Sequence, residues 1–61
     1  MSKVAYTIKE TAEVASVDKS TVVLAIQEGR LIARAINGTA IVLRADIEAW
    51  LGSLPIYRVM G

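Results

Sequence analysis

Arginine side chains give this sequence its clearest capacity for chemistry. Arg30, Arg34 and Arg44 occur in a stretch without acidic residues, so residues 30–44 carry a local charge of +3. A guanidinium group can donate two parallel hydrogen bonds to an oxyanion such as a phosphate. These arginines are therefore candidates for holding a polyanion, although an ordinary solvated surface accounts for them equally well.

A second group of polar residues follows Asp18. Lys19, Ser20 and Thr21 lie where a helix is predicted to begin, and Gln27 lies two turns further along. Side chains and free backbone amides at a helix start can bind phosphate, and a glutamine amide can pair with adenine. For Ser20 and Thr21 the alternative is helix-start chemistry alone, which favours these residue types without any ligand.

The composition excludes several classes of function. The 61 residues contain no Cys and no His, which excludes disulfides, zinc sites and thiol or imidazole catalysis. We therefore expect a protein that is not an enzyme and that uses no cofactor and no metal. Seven basic and six acidic residues leave a net charge of only +1, which is low for a protein that binds phosphates. No apolar run approaches ~18 residues, so we expect no membrane partner.

Capping signals predict two short helices in the first half of the chain. Thr7 and Glu10 have the spacing of a capping box, in which each residue binds the backbone amide of the other. Asp18 is a strong N-cap for a second helix over about 19–28. Gly29 ends that helix, because glycine adopts the left-handed conformation without a steric penalty.

Turn signals organise the second half. Asn37-Gly38, between the β-forming runs 33–36 and 40–43, predicts a hairpin. A third helix is expected over about 45–52, followed by an apolar tail, residues 53–61. The inner face of the third helix is predicted to consist of Ile47, Trp50 and Leu51. Together these elements predict one domain over residues 1–61, with a core over 6–52.

The ordered set of elements resembles the excisionase family of phage and mobile-element proteins. It is also similar to the DNA-binding head of mercury-resistance-type regulators. The resemblance covers about residues 6–51 without gaps and is carried by Tyr6–Ala12, Val17–Val22, Ile26–Leu31, Ile36–Gly38 and Arg44–Leu51. It implies an α+β fold, a small winged helix-turn-helix with three helices and a two-stranded antiparallel hairpin, the wing, between helices 2 and 3.

The resemblance also implies how such a protein would work. Helix 2 would enter the major groove of double-stranded DNA with its N-terminal half, and the wing would reach an adjacent minor groove. Proteins of this kind bind DNA without catalysis, and a cytoplasmic location in a bacterial cell or phage-infected host follows. The residues expected at the DNA are Lys19, Ser20, Thr21, Leu24, Gln27, Arg30, Arg34 and Arg44.

The chain departs from the family in three places. Relatives commonly carry arginine or an aromatic residue on the exposed side of helix 2, where this chain has Val23 and Leu24. The wing has lost most of the charge and all the aromatic residues that are usual there. Ser16 occupies a turn that often holds glycine, and serine costs on the order of 1 kcal/mol if its φ is positive.

Because the wing has few charged residues and no aromatic residues, one of its faces is apolar and no segment is known to cover it. If Val42 faces the core, strand alternation directs Ile41 and Leu43 to the opposite face. We expect either the tail or a second protein chain to cover that face, although scattered exposed apolar residues are also normal. The interface candidates are Ile41, Leu43, Ile56 and Tyr57.

Three functions stay open. An excisionase-type DNA-binding protein would assist a site-specific recombinase architecturally, bind direct repeats head to tail and bend the DNA. A small phage or plasmid transcriptional repressor would bind a palindrome as a two-fold dimer. A protein-interaction module would bind DNA weakly or not at all and use Val23, Leu24, Ile41 and Leu43 as its contact surface. The expected partners are double-stranded DNA, further copies of the chain and a recombinase.

Overall fold

Three helices and three strands make up the fold in the computed structural model, which describes residues 3–59. Their order along the chain is β1 (Ala5–Thr7), α1 (Ile8–Ala15), α2 (Lys19–Gln27), β2 (Arg34–Ile36), β3 (Thr39–Leu43) and α3 (Arg44–Gly52). The predicted α+β winged helix-turn-helix class is confirmed. α2 and α3 lie within one residue of their predicted bounds, and α1 begins directly after the predicted capping residue Thr7.

The sheet has one strand more than the sequence predicted. Its strands are antiparallel in the order β1-β3-β2, so β3 is central and β1 forms an edge. Tyr6 pairs with Val42, and the amide of Arg44 donates to the carbonyl of Val4 at 2.9 Å. The predicted two-stranded hairpin is present as β2 and β3. β1 is an additional strand that the sequence did not indicate, because it has only three residues and is stabilised by a partner far away in sequence.

The hairpin between β2 and β3 follows the Asn-Gly prediction. Asn37 and Gly38 have φ values of 52° and 78°, and Ile36 pairs directly with Thr39. Positive φ at both central residues is the geometry of the two-residue turn that matches the twist of the flanking strands. The turn fixes the register of the wing, so Arg34 lies opposite Ile41.

The capping box at the start of α1 is present. The Thr7 hydroxyl accepts from the amide of Glu10 at 3.1 Å, and the amide of Thr7 donates to Glu10 Oε1 at 2.9 Å. The Lys3 ammonium donates to the other oxygen of this carboxylate, and with the Thr7 amide it lowers the pKa of Glu10 below its ordinary value. This interaction therefore stabilises the fold at neutral pH and is lost as acid protonates Glu10.

The start of α2 is less strongly capped than predicted. Asp18 occupies the N-cap position with extended backbone angles, but its side chain forms no capping hydrogen bond. Its carbonyl oxygen instead accepts from the amides of Thr21 and Val22, at 3.0 and 3.3 Å. The residue type marked the helix start correctly, whereas the side-chain bond depends on a rotamer that the sequence does not set.

Seven apolar residues form the core between the helices and the inner face of the sheet. They are Ala12, Val22, Ala25, Leu31, Val42, Ile47 and Trp50. Val42 is fully buried, which meets the condition under which alternation directs Ile41 and Leu43 to the opposite face, and Trp50 is 3% exposed. Leu51 is 36% exposed, so its assignment to the inner face was wrong. It lies about 100° further round α3 than Trp50, at the edge of the packed face.

Ser16, at the end of α1, has a backbone conformation that is unfavourable for residues other than glycine. Its φ is 58°, in the left-handed region, and its amide donates to the carbonyls of Ala12 and Glu13. We expect Ser16→Gly to raise the free energy of unfolding by about 1 kcal/mol, because glycine adopts this conformation without a Cβ clash. Urea unfolding followed by Trp50 fluorescence measures the change.

Ser53→Gly provides the matched control at the end of α3. Ser53 has a φ of −89°, which suits any residue, and its hydroxyl donates to the carbonyl of Trp50 at 2.8 Å. Glycine there should destabilise the protein, since it loses the hydrogen bond and gains chain entropy when unfolded. Equal changes in the free energy of unfolding of Ser16→Gly and Ser53→Gly would contradict backbone strain at Ser16.

Candidate nucleic-acid interface

The outward side of α2 forms the candidate interface. Val22 and Ala25 on its inward side are fully buried in the core, which leaves the opposite side facing solvent. Ser20, Val23, Leu24 and Gln27 recur there at i, i+3, i+4 and i+7, the spacing of one helical face. With neighbouring Lys19 and Thr21 they line one shallow, mostly apolar depression.

This surface combines an apolar centre with a polar, cationic beginning. Leu24 is 49% exposed and Val23 is half-buried beside it. Lys19 is exposed and forms no ion pair with any of residues 3–59. Because the Asp18 side chain does not cap α2, no carboxylate binds the amides of the first turn. The helix start is therefore able to accept an anionic group.

The three arginines lie outside this depression and differ from one another. Arg30 donates to the Glu28 carboxylate, with its Nε at 2.9 Å, so its charge is largely compensated. Arg44 lies at the start of α3, where its Nε is 3.8 Å from Glu48. Arg34 is exposed on β2 and has no acidic partner within the described chain. Of the three, Arg34 is the most available to an external phosphate.

The outer face of the sheet is only partly covered. Strand pairing puts Ile41, Leu43 and Arg34 on this face, opposite the buried Val42, and Ile41 and Leu43 are half-buried. Leu43 also lines a small apolar cleft at the start of α3. The cleft is lined by Val4, Leu43, Arg44, Ala45 and Glu48.

The tail does not cover this face. Ile56, Tyr57 and Val59 are 81%, 88% and 84% exposed, and residues 55–59 form no helix or strand. Met60, the last apolar residue of the tail, lies outside the described residues. The sequence left two alternatives for covering the outer face of the sheet. The first, coverage by the tail of the same chain, is wrong for residues 53–59. The second, coverage by another protein chain, is still a prediction.

Two parts of these surfaces were absent from the predicted DNA-binding set. Val23 belongs to the α2 depression, and the i, i+3, i+4, i+7 spacing with Ser20, Leu24 and Gln27 was the available signal. Val4 lines the cleft only because β1 pairs with β3, and no local pattern indicates that pairing. The structure thus assembles the α2 residues into one surface and leaves the arginines distributed around it.

Comparison with known proteins identifies the class of this fold and surface. The family of helix-turn-helix domains matches residues 5–54, which include every described helix and strand. The chain belongs to this family, which includes excisionase-like DNA-binding domains. It is a DNA-binding helix-turn-helix protein, of a family that is typically not enzymatic.

Two other comparisons returned no relative. No curated protein and no solved structure matches the chain. Within residues 3–59, the helices fall short of the length and hydropathy that crossing a bilayer requires. The family match and the geometry of α2 therefore carry the functional argument.

Proposed function

We propose that this protein is an excisionase-type architectural factor that binds direct repeats in double-stranded DNA, copy beside copy, and directs a site-specific recombinase. In this proposal α2 lies in the major groove, with Lys19, Ser20 and Thr21 nearest the phosphates. Leu24 and Gln27 face the bases. Arg34 binds a phosphate beside the wing, and Arg44, whose Nε is 3.8 Å from Glu48, makes a second phosphate contact. Arg30 contributes less because the Glu28 carboxylate accepts its hydrogen bonds.

An apolar cleft lies at the start of α3 and the exposed apolar tail follows its end. This arrangement is the observation that favours binding to direct repeats. The cleft includes residues from the first turns of α3, and the exposed tail leaves from the last turn. Nine residues of helix separate them by about 13 Å. When the tail of one copy binds the cleft of the next, the contact is head-to-tail and propagates along an array of sites.

Charge supports the same pairing of tail and cleft. Arg58 follows Tyr57 in the tail and has no acidic partner among the described residues. Glu48 at the rim of the cleft is 69% exposed and only distantly paired with Arg44. A tail whose Ile56 and Tyr57 enter the cleft could place Arg58 near this carboxylate. Such a contact is small, so we expect it to act mainly when DNA holds two copies close together.

The test begins with selection of a preferred site from random duplex DNA by the full-length protein. Directly repeated motifs, together with a bend detected by circular-permutation electrophoresis, would support the excisionase proposal. A palindromic motif bound by a two-fold dimer would replace it with the repressor function. No duplex binding even at low salt would reject both and favour the protein-interaction module.

The tail contact makes its own prediction. We expect Ile56→Ser to reduce cooperative binding to two adjacent sites by about tenfold, within the usual range for coupling between sites. Affinity for a single site should not change, since Ile56 is remote in sequence from α2 and the wing. Electrophoretic titration of one-site and two-site duplexes measures both quantities.

Ile32→Ser is the matched control for this experiment. Ile32 is 54% exposed but belongs neither to the tail nor to the cleft, so its replacement should preserve cooperativity. Val4→Asp, which puts a charge in the cleft, should reproduce the effect of Ile56→Ser. Full cooperativity in both Ile56→Ser and Val4→Asp would overturn the tail contact while leaving DNA binding intact.

A further inference from the structure

The composition of the α2 surface points to the kind of DNA sequence it reads. We propose that α2 recognises a short run of A·T base pairs through thymine methyl groups, with Leu24 as the main contact and Val23 and Thr21 beside it. Gln27 pairs with an adenine in the same run. This inference rests on the proposed placement of α2 in the major groove and adds the sequence class to it.

The α2 surface lacks the side chain that most often selects G·C pairs. Guanine presents two acceptors in the major groove and is most often read by the fork of an arginine. No arginine lines the α2 depression. Arg30, the next arginine along the chain, lies beyond Gly29 and donates to Glu28. The surface therefore has no guanidinium with which to select G·C pairs. Lysine can also read guanine, but Lys19, the one cation in the lining, lies at the helix start, where the proposed function assigns it to a phosphate.

The centre of the α2 surface is apolar and suits a thymine methyl group. Leu24 is 49% exposed at its centre, with Val23 one position before it and the Thr21 methyl group one turn before it. In the major groove the thymine 5-methyl is the one apolar group that a base edge presents, and apolar side chains contact it favourably. The other base edges present mainly hydrogen-bonding groups, which would lose water against Leu24 without gaining a partner.

Gln27 and the length of the α2 surface also suit a run of A·T pairs. A glutamine amide can donate to one atom of adenine and accept from another, so it selects the partner base of thymine. Ser20 and Gln27 are seven residues apart, or about 10 Å along the helix axis. About three base pairs at 3.4 Å cover that distance. The apolar centre and Gln27 therefore face one continuous run of A·T pairs.

A protein ligand is the competing explanation for an apolar helix face, and two observations favour DNA. Lys19 at the start of the face is exposed and without an ion pair in the described chain. The helix-turn-helix family match covers all of α1 and α2. An unpaired cation at the uncapped start of this helix is suited to a phosphate, which a DNA ligand supplies.

Replacement of thymine by deoxyuridine tests the proposal directly, because it removes the 5-methyl and leaves base pairing unchanged. The probe is the selected duplex, bound by the full-length protein, with each thymine replaced in turn. We expect affinity to fall about fourfold at each contacted thymine, the equivalent of ~0.8 kcal/mol for one buried methylene. The dependence of binding on salt should not change, since no phosphate is altered.

Leu24→Ala identifies the side chain responsible. This variant should bind the thymine and deoxyuridine duplexes with nearly equal affinity at the position that Leu24 contacts. Val17→Ala is the control, because Val17 is 37% exposed and lies outside the α2 depression, and it should preserve the fourfold difference. Both side chains lie outside the buried core, so both variants should fold.

The outcomes separate this inference from the proposed function. A G·C-rich selected site, or equal affinity of the unmodified protein for both duplexes, would overturn methyl recognition while DNA binding persists. A fourfold difference that survives in Leu24→Ala would overturn the assignment to this face. Absence of duplex binding at low salt would remove the DNA-binding role itself, and with it this inference.

Discussion

Trp50→Ala should leave the protein largely unfolded at 25 °C. Trp50 is 3% exposed and belongs to the core cluster that joins α3 to β3 and α2. Removing a buried tryptophan side chain costs about 3–5 kcal/mol. A single core in a chain of this size supplies about that much stability in total. The packing energy of Trp50 is therefore comparable with the whole free energy of folding.

Circular dichroism in the far ultraviolet measures this result, since the variant has no tryptophan to report by fluorescence. Leu51→Ala is the matched control on the same helix. Leu51 is 36% exposed, so we expect a loss of about 1 kcal/mol or less and a normal cooperative transition. A cooperative unfolding transition of similar midpoint in Trp50→Ala and the unaltered protein would contradict the central role of Trp50.

A smaller substitution at Trp50 separates the loss of aromatic packing from the removal of the unpaired indole N–H. The indole Nε1 is buried and has no hydrogen-bond partner among residues 3–59, and the same holds for Asp46 Oδ2 one turn earlier. Trp50→Phe keeps an aromatic ring and removes an unpaired donor, whose burial is unfavourable. This substitution is therefore the milder comparison for the alanine variant.

Combined replacement of Lys19 and Arg34 by alanine should weaken DNA binding by about a hundredfold, roughly tenfold for each phosphate that is left without its cation. These exposed cations have no acidic partner in the described chain, so their full charge is available to phosphates. The weakening should be similar for all DNA sequences, because binding to phosphates carries no sequence information. The slope of log affinity against log salt should fall by about two.

Arg30→Ala and Arg58→Ala serve as controls in the same salt titration. Arg30 is already bound to Glu28, and Arg58 belongs to the tail, so each should change single-site affinity by less than the Arg34→Ala variant does. Unchanged DNA affinity in the Lys19→Ala, Arg34→Ala double variant would count against DNA contact by α2 and the wing. Retained binding of a protein partner in that case would favour the interaction module.

Short-range signals determined most of the fold. The Thr7–Glu10 capping box, the Gly29 helix end and the Asn37-Gly38 turn involve residues within a few positions of one another. Their conformations depend on local sterics and hydrogen bonds that residue types largely determine. The family resemblance predicted eight residues at the DNA. The structure brings five of them together on the outward side of α2 and leaves the three arginines outside this surface. The five are Lys19, Ser20, Thr21, Leu24 and Gln27.

The tertiary structure decided the features that depend on partners distant in sequence. Pairing with β3 creates β1 and places Val4 in the cleft, and the extent of helix packing leaves Leu51 partly exposed. The exposure of the tail is also a feature that only the tertiary structure decided. Alternation predicts an apolar face on the sheet, but it does not predict which segment covers that face. Propensity and capping act over one or two turns, whereas strand pairing and burial depend on which segments meet after the whole chain has folded.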